Sequence, residues 1–157
     1  MKNDDIHVGL ISDTHGLLRP EAVAALQGSD LIIHAGDIGK PGIIAELEAI
    51  APTHVVRGNV DTQGWAARLP ILEEVAAGQQ TFAVIHEIAQ FDRDPVAAGY
   101  GAVVLGHSHQ PLIETRSGVL YINPGSAGPR RFKLPVTVAR AAVSGRKIRV
   151  EIVYLDV

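Results

Sequence analysis

Seven side chains able to ligate a metal fall in five short clusters along the chain: Asp13 with His15, Asp37, Asn59, His86, and His107 with His109. Imidazole nitrogens mixed with carboxylate and amide oxygens suit transition metals better than Ca²⁺ or Mg²⁺, which prefer shells of oxygen alone. Manganese, iron, zinc and nickel are the candidates. There is no cysteine, so thiolate-bound zinc, iron–sulfur clusters and a disulfide framework are excluded. Seven ligands exceed the needs of one catalytic ion but suit two ions sharing a carboxylate. In such sites the ions lie roughly 3.5–4 Å apart and bind both attacking and reacting oxygens. Asp13 and Asp37 set two negative charges against the four positive charges of two divalent ions. A site left about two units positive points to an anionic substrate.

Each cluster directly follows an apolar run: Val8–Ile11, Leu31–Ile33, Val55–Val56, Phe82–Ile85 and Ala102–Leu105. Short aliphatic and β-branched runs ended by Gly, Asp or Ser read as buried strands. Ligands of open α/β sheets bind beyond the carboxyl ends of strands, so five strand-end clusters can converge in one crevice. Between the strands, Pro20–Leu26 has proline at a helix start and Gly28 past its end. Pro41 leads into Ile43, Ile44, Leu47 and Ile50, one apolar helical face. Asp94-Pro95 reads as an N-cap and first-turn pair for a helix through Ala98. From Val119 to Val157 the pattern is of strands without helices, which predicts mixed sheets with antiparallel late strands. Trp65 reads as core or rim.

A length of 157 residues with 46% hydrophobic content predicts one domain over residues 1–157. Met1-Lys2-Asn3-Asp4-Asp5 leads into a strand with no signal-like apolar region, and no apolar stretch has the length of a membrane span, so a cytoplasmic protein with no membrane partner is expected. The net charge is −3, yet residues 116–149 carry eight of the 14 basic residues and no acid. That block suits either a cationic face steering anionic substrates or the wet face of antiparallel strands. The alternation in Lys147-Ile148-Arg149-Val150-Glu151-Ile152 favours the second.

Asp13-x-His15, Gly36-Asp37, Gly58-Asn59, His86 and Gly106-His107-x-His109 resemble, in order and rough spacing, the five blocks of the calcineurin-like metallophosphoesterase superfamily. The short chain, Gly58-Asn59-Val60-Asp61 and Asn123-Pro124-Gly125-Ser126 look most like its compact YfcE-like phosphodiesterase subgroup. The resemblance implies an α/β fold, a four-layer α-β-β-α sandwich of two mixed sheets with the metals at the C-terminal ends of strands. It assigns Asp13, His15, Asp37 and His109 to one ion, and Asp37, Asn59, His86 and His107 to the other, with Asp37 bridging. Asp13, Asp37, Asn59 and His107 form the implied catalytic set. The implied reaction is in-line attack of a metal-bridging hydroxide on a small phosphodiester, with manganese the foremost metal and iron, zinc or nickel as alternatives.

The chain departs from larger superfamily members at Val60, where many carry a histidine that assists the leaving group. Glu87 beside His86 is a second departure, read as a solvated loop acid. Asp61 reads as a buried acceptor holding the metal loop. His34 reads as a packed histidine with a backbone partner, and His7 and His54 as structural residues at the opposite strand ends. Asn123 and Ser126 stand evenly between substrate contact and a tight turn, as do Arg130 and Arg131 between phosphate binding and surface placement.

Three function classes follow: a dinuclear phosphodiesterase acting on small phosphodiesters, a non-catalytic protein-interaction scaffold like the superfamily's retromer subunit, and a nuclease. The full ligand set favours the first, and net negative charge disfavours nucleic acid as a partner. Exposed late strands offer a surface for a homo-oligomer.

Overall fold

Alternation along the first strand, β1 (Ile6–Ile11), sends Val8 and Leu10 to one side and Gly9 and Ile11 to the other. Both sides are covered, which is why the run is apolar throughout rather than alternating. The computed structural model describes residues 5–157, so the leader-free reading of Met1–Asp4 lies outside the described residues. Helix α1 (Pro20–Ala25), β2 (Leu31–His34), α2 (Pro41–Glu48) and β3 (Thr53–Val55) follow β1 as two right-sized β-α-β steps. The second half holds β4 (Leu72–Ala77), β5 (Gln80–Ile85), α3 (Pro95–Ala98), β6 (Ala102–Val104), β7 (Leu112–Arg116), β8 (Val119–Asn123), β9 (Thr137–Ser144) and β10 (Lys147–Tyr154).

Two mixed five-stranded sheets result, ordered β10-β9-β1-β2-β3 and β4-β5-β6-β8-β7. In the first, β1, β2 and β3 run parallel while β9 and β10 are antiparallel; in the second, β5, β6 and β8 are parallel, flanked by antiparallel β4 and β7. Val8, Leu10, Ile33, Phe82, Val84, Val104 and Ile122 interlock between the sheets as one buried cluster. The far side of the first sheet packs on Leu26, Ile43 and Leu47 of the two helical segments. Gly9 makes that approach possible, since a Cβ there would sit 2.8 Å from Leu26 Cδ2. The far side of the second sheet, with Ile85, Val103 and Tyr121, is covered by a thinner layer that includes Tyr100 and Phe91. Helix–sheet–sheet–helix layering is therefore the architecture, as expected, with the fourth layer reduced to α3 and a single 3-10 turn at Ile88–Gln90.

The three expected helices form, and Asp94 caps α3 by accepting from Val96 N and Ala97 N. Two strands carry too little apolar signal to be read from sequence. Strand β7 is exposed at every position and exists through its pairing with β8, across a two-residue loop whose Ser117 and Gly118 both have positive φ. Strand β4, Leu72-Glu73-Glu74-Val75-Ala76-Ala77, sets two adjacent acids before two small residues and is held by its antiparallel register with β5. The basic block is chiefly the wet face of antiparallel strands. Lys147, Arg149 and Glu151 point outward along β10, Arg149 pairs with Asp5 at 2.9 Å, and Arg140 donates to the carbonyls of Ala25 and Gln27 behind α1.

Candidate metal centre

Beyond β1 and β2 the two chains stay zipped together: Asp13 N donates to Gly36 O at 3.0 Å, His15 N to Asp37 O at 2.9 Å and Gly16 N to Ile38 O at 2.8 Å. These bonds fix the loop ends on which three of the clustered residues stand, Asp13, His15 and Asp37. Asp13, His15, Asp37, His107 and His109 all have positive φ, against just two other non-glycine residues so disposed among the described residues, Ser117 and Phe132. Left-handed backbone at a non-glycine residue costs on the order of 1–3 kcal/mol and persists where surrounding structure enforces it. Its concentration here marks a site built for placement of side chains.

All seven residues singled out in the sequence converge at the carboxyl ends of β1, β2, β3, β5 and β6. Asp13 is fully buried and its two oxygens differ. Oδ2 accepts from Ser12 Oγ at 2.7 Å and His107 N at 3.2 Å. Oδ1 has no hydrogen-bond partner and faces His109 Nε2 at 3.4 Å, His15 Nε2 at 3.7 Å and His86 Nε2 at 3.8 Å. Asp37 repeats the division: Oδ1 accepts from Val60 N at 3.0 Å, while Oδ2 lies 3.2 Å from His86 Nε2 and 3.6 Å from His15 Nε2. Asn59 Oδ1 is 3.0 Å from His86 Nε2 and 3.2 Å from His107 Nδ1. The ring nitrogens of His15 and His109 face each other at 3.2 Å.

A buried carboxylate oxygen without a hydrogen bond, ringed by imidazole nitrogens, is costly unless a cation joins them. The nitrogens of His15 and His109 that face each other also face Asp13 Oδ1, so one cation can meet all three. The donors sort into two trios, Asp13/His15/His109 and Asp37/His86/His107, each with ligand atoms within 4.8 Å of one another. The residues therefore fit divalent transition metals, and both carboxylates reach across the trios: Asp37 Oδ2 to His15 at 3.6 Å and Asp13 Oδ1 to His86 at 3.8 Å. Burial pulls the Asp13 carboxyl upward, but His109, His15, His86 and Ser12 outweigh it and hold it well below the usual carboxylate range. Asp37 is likewise lowered, burial being outweighed by His86 and the Val60 amide. His86 is raised: Asp37 and Asp13 more than offset its burial. Its Nδ1–H donates to Ala35 O at 2.8 Å, which fixes the ring and turns Nε2 to the centre, where a cation would compete with the proton.

The glycines of the motifs answer to these carboxylates. A Cβ on Gly106 would lie 2.9 Å from His86 Nδ1 and 3.0 Å from Asp13 Oδ2, and one on Gly58 would meet the Asp37 carboxylate. Asp61 supports the same loops. Its carboxylate is buried and accepts from four backbone amides: Asp37 N, Ile38 N and Gly58 N at 2.9 Å and Gly39 N at 3.2 Å. That is the buried acceptor the sequence suggests, tying its own loop at Gly58 to the segment 37–39. Asp61→Asn exchanges two acceptor oxygens for one and sets an amide donor against N–H groups. We expect a loss of roughly 2–4 kcal/mol, read as a fall of about 5–15 °C in Tm. An unchanged melting temperature would show that these amides find other partners.

Several neighbours differ from the sequence reading. Asn123 is buried and bonded inward, donating to Gly106 O at 3.0 Å and accepting from Gly125 N at 2.9 Å. Ser126 donates to Asp13 O at 3.0 Å. Both hold the ligand loops and neither is free for substrate. Glu87 is a half-buried loop acid rather than a fully solvated one: its side chain is 26% exposed and lies 3.9 Å from His107 Nδ1. His34 has its expected backbone partner, Gly36 N at 3.0 Å on Nδ1, and also Thr14 Oγ1 at 3.0 Å on Nε2. Burial pushes its pKa down to about 4, so it packs as a neutral ring. Ser12 and Thr14 are supporting residues that sequence reasoning passed over; their signal is a small hydroxyl beside each ligand at a strand end. Arg130 is committed to Leu134 O and Val157 O, whereas Arg131 has no side-chain partner among the described residues.

Residues 6–146 match the calcineurin-like phosphoesterase superfamily domain. A probable metallophosphoesterase of Methanothermobacter thermautotrophicus is 33% identical over 162 residues, covering 93% of this chain and 91% of that one. Two solved structures share the fold at lower identity. An archaeal phosphodiesterase superposes with a TM-score of 0.73 at 21% identity, over 94% of this chain and 100% of its own. Entamoeba histolytica Vps29 in complex with Zn²⁺ gives 0.71 at 20% identity, over 96% and 100%. With an ordered ligand set, its convergence where the carboxyl ends of strands from both sheets meet and a match spanning most of the sequence, the chain belongs to the calcineurin-like phosphoesterase superfamily.

Proposed function

We propose that residues 1–157 act as a single metallophosphoesterase domain that hydrolyses small phosphodiesters with two divalent metal ions. The observation that carries this reading is Asp13 Oδ1, buried and unpartnered among three imidazole nitrogens, with Asp37 Oδ2 between the two trios. In the proposed arrangement Asp13, His15, Asp37 and His109 hold one ion, and Asp37, Asn59, His86 and His107 the other. When bound, such ions lower the pKa of water and neutralise charge on phosphoryl oxygens. Manganese is the metal we favour, with zinc, iron or nickel as alternatives; zinc has support in the Zn²⁺ complex of the Vps29 neighbour.

The residues themselves supply position and charge. Asp13 and Asp37 are held ionised by their histidine neighbours, and Ser12 and Val60 each occupy one carboxylate oxygen so that the other faces inward. Two anions among four neutral rings and an amide leave a two-ion site net positive, which selects anions. Two open cavities flank the centre, one of about 380 Å³ beside Arg57, Asn59 and His86, the other of about 460 Å³ beside His15 and His109. A phosphodiester carries two ester groups and a monoester one, so two cavities support the diester. The archaeal phosphodiesterase of the same fold supports it too. No helix among the described residues is long and apolar enough to cross a membrane, and a cytoplasmic enzyme acting on small molecules is the setting we propose.

Metal-stripped protein given bis-4-nitrophenyl phosphate or 4-nitrophenyl phosphate, with and without Mn²⁺, tests the proposal. Turnover is expected with metal only, and faster on the diester. Silence with Mn²⁺, Ni²⁺, Zn²⁺ and Fe²⁺ alike would turn the reading toward a non-catalytic interaction scaffold.

A further inference from the structure

The loop between β8 and β9 is pinned at its stem and free at its tip. Ala127 N donates to Ser12 O, Ser126 Oγ to Asp13 O, Arg19 to Gly128 O and Thr137 N to Ser126 O, which ties the stem to the loop bearing Asp13 and His15. Arg130 closes the next turn through Leu134 O and Val157 O. At the tip, Phe132 is 89% exposed with φ of 54°, a conformation that holds a bulky aromatic side chain out in water at conformational and hydrophobic cost. Arg131 beside it has no side-chain partner among the described residues. Both line the cavity of about 460 Å³ that His15 and His109 also line.

We propose that Arg131 and Phe132 form a specificity subsite for one ester group of the substrate, a planar aromatic or heteroaromatic group carrying an anionic substituent. This deepens the phosphoester reading and rests on it. Phe132 offers a ring face for stacking, and Arg131 offers a fork of donors for a carboxylate or second phosphate. The two flanking cavities are chemically unlike, and that decides which one takes the anion. The cavity by Arg57 also contains Glu87 and Asp61, whereas the charged side chains beside the histidines are arginines alone. Arg130 is held by backbone carbonyls, so Arg131 is the residue left to meet the ligand.

The test uses non-hydrolysable probes, so it reads binding apart from turnover. Methylphosphonate, phenylphosphonate and 3-carboxyphenylphosphonate are titrated calorimetrically into Mn²⁺-loaded wild-type protein, Phe132→Ala and Arg131→Gln. Stacking on one aromatic ring corresponds to about tenfold, so phenylphosphonate is expected to bind about tenfold tighter than methylphosphonate. The carboxylate should add a further gain of about threefold to tenfold. Phe132→Ala should bring phenyl and methyl within about twofold of each other, and Arg131→Gln should remove the carboxylate gain alone. Methylphosphonate carries neither group, so its affinity in each protein is the reference against which these ratios are read. Equal binding of phenyl and methyl probes by wild type, or ratios that survive these substitutions, would overturn the subsite. A subsite that behaves as expected in protein that hydrolyses no diester would leave this inference standing while the phosphodiesterase reading fell.

Discussion

Asp37→Asn is expected to abolish hydrolysis and to lower occupancy of both metal positions together. One oxygen of Asp37 is fixed by Val60 N at 3.0 Å, and the other reaches toward His86 and His15, which belong to different trios. An asparagine keeps the shape but removes the charge. If its oxygen accepts from Val60, its amide donors face the two histidines and repel a cation. Residues that merely support a ligand are worth about 10–100-fold in metal affinity, so losing a carboxylate proposed to bind both ions should cost more than about 100-fold. Asn59→Ala makes the informative contrast, because Asn59 approaches His86 and His107 but no member of the other trio. It should lose one ion and keep the second. Metal content after desalting, measured beside diester turnover, reads both outcomes. An Asp37→Asn protein with two ions and wild-type turnover would remove Asp37 from the bridging position.

How the site is legible in a sequence follows from where its residues stand. Asp13, Asp37, Asn59, His86 and His107 each follow a strand whose aliphatic run announces it; parallel pairing gathers the ends of β1, β2 and β3 in one sheet and of β5 and β6 in the other, and the packed sheets bring the two sets together. Order along the chain therefore stood in for proximity. The supporting details depend on bonds between distant segments and left no local trace. Asp61 reads as a buried acceptor, but that it serves amides of Asp37, Ile38 and Gly39 as well as Gly58 depends on two loops meeting. Arg130 and Arg131 are equal as letters; they part because Val157 O, 27 residues on, lies within reach of the first. Asn123 and Ser126 stand evenly between substrate contact and a tight turn in the sequence because a turn signal does not tell which way its side chains face. The strands missed, β4 and β7, bury little on one face, so hydrophobic periodicity had nothing to register.

Diesters with aryl leaving groups should be cleaved about 10²–10⁴-fold faster than matched diesters with alkyl leaving groups, beyond what a metal-free reference reaction shows. The argument starts at Val60, which follows Asn59, is 45% exposed and offers the site its backbone N–H alone. A side chain there cannot give a proton to a departing alkoxide, whereas a nitrophenolate needs none. Asp61 does not substitute for it, since both its oxygens accept from backbone amides and it is buried beneath the loop. Glu87 is the remaining carboxyl in the cavity beside Asn59 and His86, 3.9 Å from His107 Nδ1. Two substitutions separate these possibilities. Val60→His should raise kcat/KM for alkyl diesters and leave aryl diesters nearly unchanged, because the added imidazole acts on a step that aryl substrates do not find difficult. Glu87→Gln should leave the aryl-to-alkyl ratio as it is. If Glu87→Gln instead lowers alkyl turnover alone, Glu87 is the proton donor and the exposed valine is incidental; if wild type shows no aryl preference at all, leaving-group departure is not the step this site leaves unassisted.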